Sequence, residues 1–342
     1  MTTLTEIAKI CGVSISTVSN VLNGKPKVKE TTKQRILEVV KETGYQPNYF
    51  AQGMRKQNTQ IIGIIVEDFN EFVIQIVEEI MAECEDNGYR TILLNLRLYD
   101  KWKDTWYNDQ EKLQRMLQPA LQELLSIKVD GIVYVAGHCR MIECFPDDLP
   151  VPGIVAYSFS KNPKFPSVVI DDEKGGYDLT NYLIDKGHTK IGVIAGKMDN
   201  IHTTMRLEGY KKALVEHNII YNEEWIMYGS WERESGREYA KELLQAGVTA
   251  IFCMNDRMAG GVYDYCAEHD LIVGKDVSLV GYDNVVIAEY LRPALTTNEI
   301  QLQKIGYEAA DRILQMIKNT KRCRIDNVIK VPCSIVIRDS VK

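Results

Sequence analysis

Aromatic rings and fixed hydrogen-bonding groups recur in this chain just beyond short apolar runs. Glu67, Asp68, Asn70 and Phe72 follow Ile61-Ile-Gly-Ile-Ile-Val66, Tyr157 closes a run that begins at Gly153, and Asp199, Asn200 and Arg206 follow residues 190–195. Trp231 follows residues 225–228, Asn255 and Asp256 follow 250–254, and Asp283 and Asn284 follow 278–282. These groups suit a polyhydroxylated ligand: the C–H face of a sugar ring packs on Trp or Phe, while Asp, Asn and Arg take neighbouring hydroxyls. For any one residue a helix cap or a loop-packing role competes, above all for Asp256 and Asn284. Arg206 is sharper. It lies near the start of a helix, where the dipole disfavours a cation, so a partner must compensate and a ligand is one candidate.

A second constellation can do different chemistry. Ile15, Ser16, Thr17, Ser19, Asn20 and Asn23 share one side of a short helix whose other side is Val18, Val21 and Leu22. Ser14 offers that helix an N-cap hydroxyl. The helix before it has Ile7, Ala8 and Ile10 as its apolar side and stops at Gly12, which accepts a left-handed backbone. Two short helices around a tight turn, the second with a face of small and hydrogen-bonding side chains, read as a helix-turn-helix that enters a DNA major groove. A helical hairpin with no DNA partner is the plainer reading.

A third helix over about 31–43 completes a small all-α head, with Ile36, Val39 and Val40 inward and Gly44 at its end. The turn at 24–29 carries Lys25, Lys27 and Lys29, suited to phosphate contact or simply to solvent. Residues 49–58 could form a helix too short to be stable alone, ordered only against a partner copy or a DNA groove, or could be a plain linker. From residue 60 onward, buried-type strands alternate with helices through two successive series. This predicts two doubly wound parallel-sheet subdomains, with a ligand in the crevice at the strands' carboxyl ends.

Charge divides along the same line. The chain carries −6 overall, yet residues 1–60 hold nine Lys or Arg against four Asp or Glu, and the remainder holds 32 against 43. A basic head on an acidic body fits nucleic-acid contact confined to the head. No apolar run approaches a membrane span, so no membrane partner is expected and the protein is expected in the cytoplasm, associated with the nucleoid. The eight cysteines form no CxxC pair and read as reduced packing thiols, and the histidines show no metal-ligand spacing. No nucleophile–base set or phosphate loop appears, so no enzyme, metal or cofactor is expected.

The chain resembles the LacI/GalR (lactose/galactose repressor) family of bacterial transcription regulators over essentially its whole length. The head matches in Ile7-Ala8, Gly12-Val-Ser14, Thr17-Val-Ser19 and Val21-Leu-Asn-Gly24, and Gly44-Tyr-Gln-Pro-Asn48 matches the entry to the hinge. The body matches in Val129-Asp-Gly-Ile132, Arg206-Leu-Glu-Gly-Tyr210, Asn255-Asp-Arg-Met-Ala259, Asp276-Val-Ser-Leu-Val-Gly-Tyr-Asp283 and Arg338-Asp-Ser340. The resemblance implies a helix-turn-helix DNA-binding domain over 1–47, a hinge helix over 48–59 and a periplasmic-binding-protein-like effector core over 60–342. Within the core it places an N-subdomain at about 60–158 and 290–320, and a C-subdomain at about 159–289 and 321–342.

The resemblance also implies roles. Ile15, Ser16 and Asn20 stand where the family reads bases, and Asn20 replaces a frequent arginine, which favours adenine over guanine. Ser14, Thr17, Asn23 and Tyr45 match backbone-contacting positions, and Lys29 and Asn48 are expected beside them. Met54 stands where an apolar wedge enters the minor groove. Arg206, Asn255, Asp283 and Trp231 match effector-contacting positions, with Phe72 and Tyr157 beside them; Tyr157 replaces a frequent aspartate. The expected protein is a homodimeric repressor of carbohydrate-utilisation genes that binds a pseudo-palindromic double-stranded operator and is released by a small sugar or sugar derivative. The alternative is a catabolite-control regulator switched by a phosphorylated carrier protein. The aromatic-rich stretch 98–107 is either a lip over the cleft or a partner surface.

Overall fold

The computed structural model describes residues 2–22, 24–25, 28–45, 58–103, 109–318 and 327–342. The chain divides into two compact units, Met1–Gln60 and Ile61–Lys342.

The first unit is built on α1 (Leu4–Ile10), α2 (Ile15–Leu22) and α3 (Glu30–Thr43). Thr3 and Glu6 form a reciprocal capping box that starts α1, satisfying two backbone donors at once. Gly12 is left-handed just past its end. Ser14 Oγ accepts from the Thr17 N–H at 3.2 Å and so starts α2. The core of this unit is small: Ile7, Ala8, Cys11, Val18, Val21 and Ile36, with Leu22, Val39, Val40 and Tyr45 packed against it. Ile10, expected on the apolar side of α1, is instead 60% exposed. Ile7 and Ala8 already fill the face toward α2 and α3, and Cys11, one turn beyond Ile7, takes the next inward place.

The second unit holds two six-stranded sheets. In the first the order is β2 (Arg90–Asn95), β1 (Ile61–Val66), β3 (Gly131–Val135), β5 (Gly153–Ala156), β7 (Ser167–Ile170) and β13 (Val328–Val331), all parallel. The second runs β9 (Ile226–Tyr228), β8 (Ile191–Ala195), β10 (Ala250–Cys253), β11 (Ser278–Asp283) and β12 (Thr296–Glu299), parallel, and ends in β14 (Ser334–Val336), antiparallel to β12. A small ladder pairs β4 (Met141–Ile142) with β6 (Phe159–Ser160). β1 is buried on both faces, as a strand between helix layers must be. Ile62, Ile64 and Val66 meet α4 (Glu71–Asp86), whereas Ile61 and Ile65 meet α6 (Gln110–Ser126). The short α5 (Leu98–Trp102) lies between β2 and α6. On the second sheet α7 (Asp172–Asp185) pairs with α8 (Ile201–Glu216), and α9 (Arg233–Gln245) with α10 (Asp256–Glu268). The short α11 (Ile287–Tyr290) follows β11, and α12 (Leu302–Ile317) returns to pack on α4.

The subdomain boundaries lie later than the sequence suggests. β7 belongs to the first sheet, so the chain leaves that sheet after Ile170 rather than after 158. β12 belongs to the second, so the return comes after Glu299 rather than at 290, and β13 moves the last crossing to between Val331 and Ser334 instead of 320/321. The reason is physical. Short strands completing a sheet are specified by the neighbour they pair with, and nothing local marks which sheet that is.

Candidate functional site

Several of the residues singled out after the strands come together, from elements of both sheets, around Arg206. It lies on α8, 2% exposed. α8 packs closely on α7: a Cβ on Gly176 would meet the Arg206 carbonyl oxygen at 2.3 Å, and one on Gly209 would meet the Glu173 carbonyl oxygen at 2.0 Å. Only glycine permits that approach, which brings Arg206 alongside Asp172, the first residue of α7. Arg206 Nε donates to Asp172 Oδ1 at 2.7 Å, and Nη1 donates to the Met254 carbonyl at the end of β10. The guanidinium carbon lies 3.5 Å from the centre of the Tyr282 ring and 5.9 Å from that of Trp231. Nη2 is 3.9 Å from Asp283 Oδ1.

The compensating partner expected for Arg206 is therefore a carboxylate of the protein itself, Asp172, where a ligand was one candidate. Burial pushes the Asp172 carboxyl up, but His202 and Arg206 together bring it below the ordinary range. His202 Nδ1 lies 2.6 Å from Asp172 Oδ2, so one carboxylate holds both side chains. Burial pushes Asp283 well above the ordinary range despite Arg206. Sequence reasoning missed Asp172 and His202. Asp171, Asp172 and Glu173 look like carboxylates favoured at a helix N-terminus, and only the α7–α8 crossing turns one of them into an ion-pair partner.

Three expected effector residues have left-handed backbone: Tyr157 with φ 64°, Trp231 with φ 72° and Asp283 with φ 103°. Such conformations in non-glycine residues are costly, and they gather where a side chain must be aimed. The Trp231 ring rests on Gly196, where an added Cβ would meet it at 1.9 Å. Asn255 is held by two bonds within the protein. It caps α10 by accepting from the Met258 N–H and donates to the Trp231 carbonyl, both at 2.8 Å. Phe72, at the start of α4, lies 6.4 Å from the Tyr157 ring, and Tyr157 lies 5.7 Å from His202, so an aromatic row crosses from one sheet's elements to the other's.

Other residues after the strands are structural. Glu67 is fully buried and accepts from Tyr134, the Gly137 N–H and both terminal nitrogens of Arg140. Asp68 holds the Tyr99 N–H, while Asn70 and Asn200 cap α4 and α8. Asp256 accepts from Thr297 and the Val285 N–H, and burial raises its carboxyl to about 7. Asn284 bridges Glu299 and Arg338. In the aromatic-rich stretch Leu98 is buried and Trp102 packs on the same core, so these two serve packing; residues 104–108 lie outside the described residues. The seven described cysteines are free thiols, and among the described residues no cluster could hold a metal ion.

On the head, Ser14, Ile15 and Ser16 are exposed at the start of α2, and Thr17 and Asn20 are half-buried beside them. Ser14 Oγ is 2.7 Å from Ser16 Oγ and 2.8 Å from Thr17 Oγ1, so three hydroxyls form one patch. Ile15 is 39% exposed, an apolar side chain displayed on the first turn of α2. Lys29 is exposed at the start of α3, while Tyr45 packs on the head's core. Asn23, Asn48 and Met54 lie outside the described residues.

A helix-turn-helix head attached to a two-sheet core with a cleft defines a ligand-responsive DNA-binding regulator. Two family models match: bacterial regulatory proteins of the lacI family over residues 3–48, and the periplasmic binding protein-like domain over 180–341. The HTH-type transcriptional repressor PurR of Vibrio campbellii is 30% identical over 348 residues, spanning 100% of this chain and 99% of the relative. The chain belongs to the lacI family of bacterial regulatory proteins. The lac repressor dimer bound to operator and the anti-inducer ONPF has the same fold, with TM-score 0.76 and 24% identity over 99% of this chain and 98% of that one. The complex of the transcriptional regulator CelR with cellobiose is 25% identical, with TM-score 0.66, over 99% of this chain and 100% of that one.

Proposed function

We propose that the protein represses carbohydrate-utilisation genes in the cytoplasm and that an uncharged sugar in the cleft releases it from a pseudo-palindromic operator. The observation that carries the sugar is the cleft's composition: one fixed guanidinium between two carboxyls, with Trp231 and Tyr282 against it, and Tyr157, paired with Phe72, against the neighbouring His202. Paired polar groups beside aromatic faces match a ring with hydroxyls on its edge and C–H groups on its faces. The cellobiose complex of a structural relative supports the same ligand class. A homodimer follows from the operator symmetry that helix-turn-helix proteins use.

In this reading Ile15, Ser16 and Asn20 read base edges. Ser14, Thr17, Asn23, Lys29, Tyr45 and Asn48 contact the DNA backbone, and Met54, in a hinge over 48–59, wedges the minor groove. Arg206, Asn255, Asp283, Trp231, Tyr157 and Phe72 hold the sugar, and Asn255 also holds Trp231. Sugar binding changes the set of the two sheets and thereby the hinge, and a coupling of about 1–3 kcal/mol would change operator affinity roughly 5- to 150-fold. The test is a thermal-shift screen over mono- and disaccharides, sugar phosphates and nucleobases, followed by operator binding with each hit. A neutral sugar that stabilises the core and weakens operator binding is the expected result. Stabilisation by a nucleobase and by no sugar would replace the carbohydrate with a flat heterocycle.

A further inference from the structure

Ion pairs between described residues cross from one sheet's elements to the other's. Beside the crossings at Ile170 and Val331, where the chain itself ties the sheets together, Lys330 on β13 reaches Asp171 and Glu173. A different pair stands apart from every crossing in sequence: Arg257 Nη2 donates to Glu71 Oε1 at 2.9 Å. Glu71 is the first residue of α4, which follows β1 of the first sheet, and Arg257 is the second residue of α10, which follows β10 of the second. Both helix starts are fixed by caps. Asn70 accepts from the Phe72 and Val73 N–H groups, and Asn255 accepts from the Met258 N–H. The length of the pair therefore follows the separation of the two sheets' elements beside Phe72 and Asn255. Charge favours the paired state. A helix N-terminus suits Glu71 and disfavours Arg257, so the guanidinium is better placed against a carboxylate than alone. Glu71 without Arg257 would oppose the approach of the sheets, because its charge is among those that push the Asp283 carboxyl up.

We infer that Glu71 and Arg257 form a clasp that holds the two subdomains of the core together without any ligand and sets how often the space around Arg206 opens. The clasp does not depend on what binds there; only its consequence for operator binding rests on the carbohydrate reading. The two side chains are 50% and 55% exposed, so the pair has the strength of a solvated ion pair, and breaking it should raise the open fraction about two- to fivefold. A ligand that needs the closed core should lose affinity by no more than that factor, since the clasp only sets the population the ligand meets.

Cys139 reports the opening. It follows β3 of the first sheet, is 4% exposed, and its thiol feels the charges of Asp172 and Arg206 on the other subdomain. Cys84 on α4 and Cys253 on β10 are fully buried and report unfolding of either subdomain instead. The test is pulsed alkylation of the ligand-free, full-length protein with N-ethylmaleimide, each cysteine read by peptide mass spectrometry. A buried thiol reacts in proportion to the population of the opened form. Glu71→Ala and Arg257→Ala should each speed Cys139 about two- to fivefold while Cys84 and Cys253 keep their wild-type rates. Glu71→Arg combined with Arg257→Glu should bring Cys139 back to the wild-type rate. In wild type, about 1 M salt should speed Cys139 toward the rate of Arg257→Ala, because screening weakens an exposed pair. Equal Cys139 rates in wild type and both alanine variants overturn the clasp, and so does a charge swap that stays as fast as the alanine variants. If a substitution also speeds Cys84 or Cys253, the wild-type salt response decides, and a Cys139 rate that ignores salt overturns the clasp. No sugar enters these measurements, so a failure of every sugar to bind would sink the carbohydrate reading and leave this result to stand or fall by itself.

Discussion

Replacing Arg206 by alanine should damage the core far more than losing a ligand contact would. Asp172 is 1% exposed, and the substitution leaves its carboxylate with His202 as its remaining partner. Removing one partner of a buried, hydrogen-bonded pair destabilises by about 3–5 kcal/mol, because the other charge stays desolvated and uncompensated. The guanidinium also leaves the face of Tyr282, 3.5 Å from the ring centre, and the Met254 carbonyl loses its donor. These losses overlap and do not add. Urea denaturation followed by far-UV circular dichroism should show a lower midpoint with an unchanged slope. Arg206→Met combined with Asp172→Asn removes both charges and keeps a hydrogen-bonding group for His202, so it should recover at least half of the loss while still failing to bind sugar. The pH dependence has a definite sign. Asp172 has a lowered native carboxyl, so its stabilisation is present above the ordinary value of 3.8 and is lost as pH falls through the lower native value. The gap between wild type and Arg206→Ala should accordingly narrow in acid, where the stranded carboxyl takes up a proton. A single variant that loses less than about 1 kcal/mol at pH 7 would refute the reasoning, since that is the scale of an exposed ion pair.

Three further outcomes are expected. Gly196→Ala places a methyl 1.9 Å from the Trp231 ring, so the indole must leave its seat; sugar affinity should fall while the melting temperature changes little, and a normal affinity would show that the seat is unimportant. Burial raises the native Asp256 carboxyl to about 7, so its stabilisation is full below about 3.8 and declines as pH rises to about 7. Over that window wild type should lose up to about 1.4 kcal/mol per pH unit relative to Asp256→Asn, and parallel stability curves for the two proteins would contradict this. Ile36→Ala removes a fully buried side chain from a core of six, and a loss of about 2–5 kcal/mol should unfold the head. Operator binding would disappear while the core's melting transition stays in place; retained operator affinity would show that the head tolerates the cavity.

The sequence by itself determined the head and most of the core. Periods of three and four around Ile7, Val18 and Ile36, a capping serine and a glycine past α1 are local signals, and helices obey local signals. The long apolar runs of β1, β3, β8, β10 and β11 are equally plain, because a strand covered on both faces must be apolar throughout. From these runs the placement of Trp231 and Asp283 at strand ends, and of Arg206 on the helix that follows β8, was legible too. Tertiary structure alone decided three matters. Which sheet β7, β12, β13 and β14 complete depends on the strands they hydrogen-bond to, which for β13 and β14 lie far away in sequence, and that choice moved every subdomain boundary. That Asn255 donates to the Trp231 carbonyl depends on where another loop arrives. Asp172 and His202 belong to the site because α7 and α8 approach through Gly176 and Gly209, a contact that no local pattern encodes. The chain's local patterns set which groups stand at the strand ends; the packing of two helices set which of them share a charge.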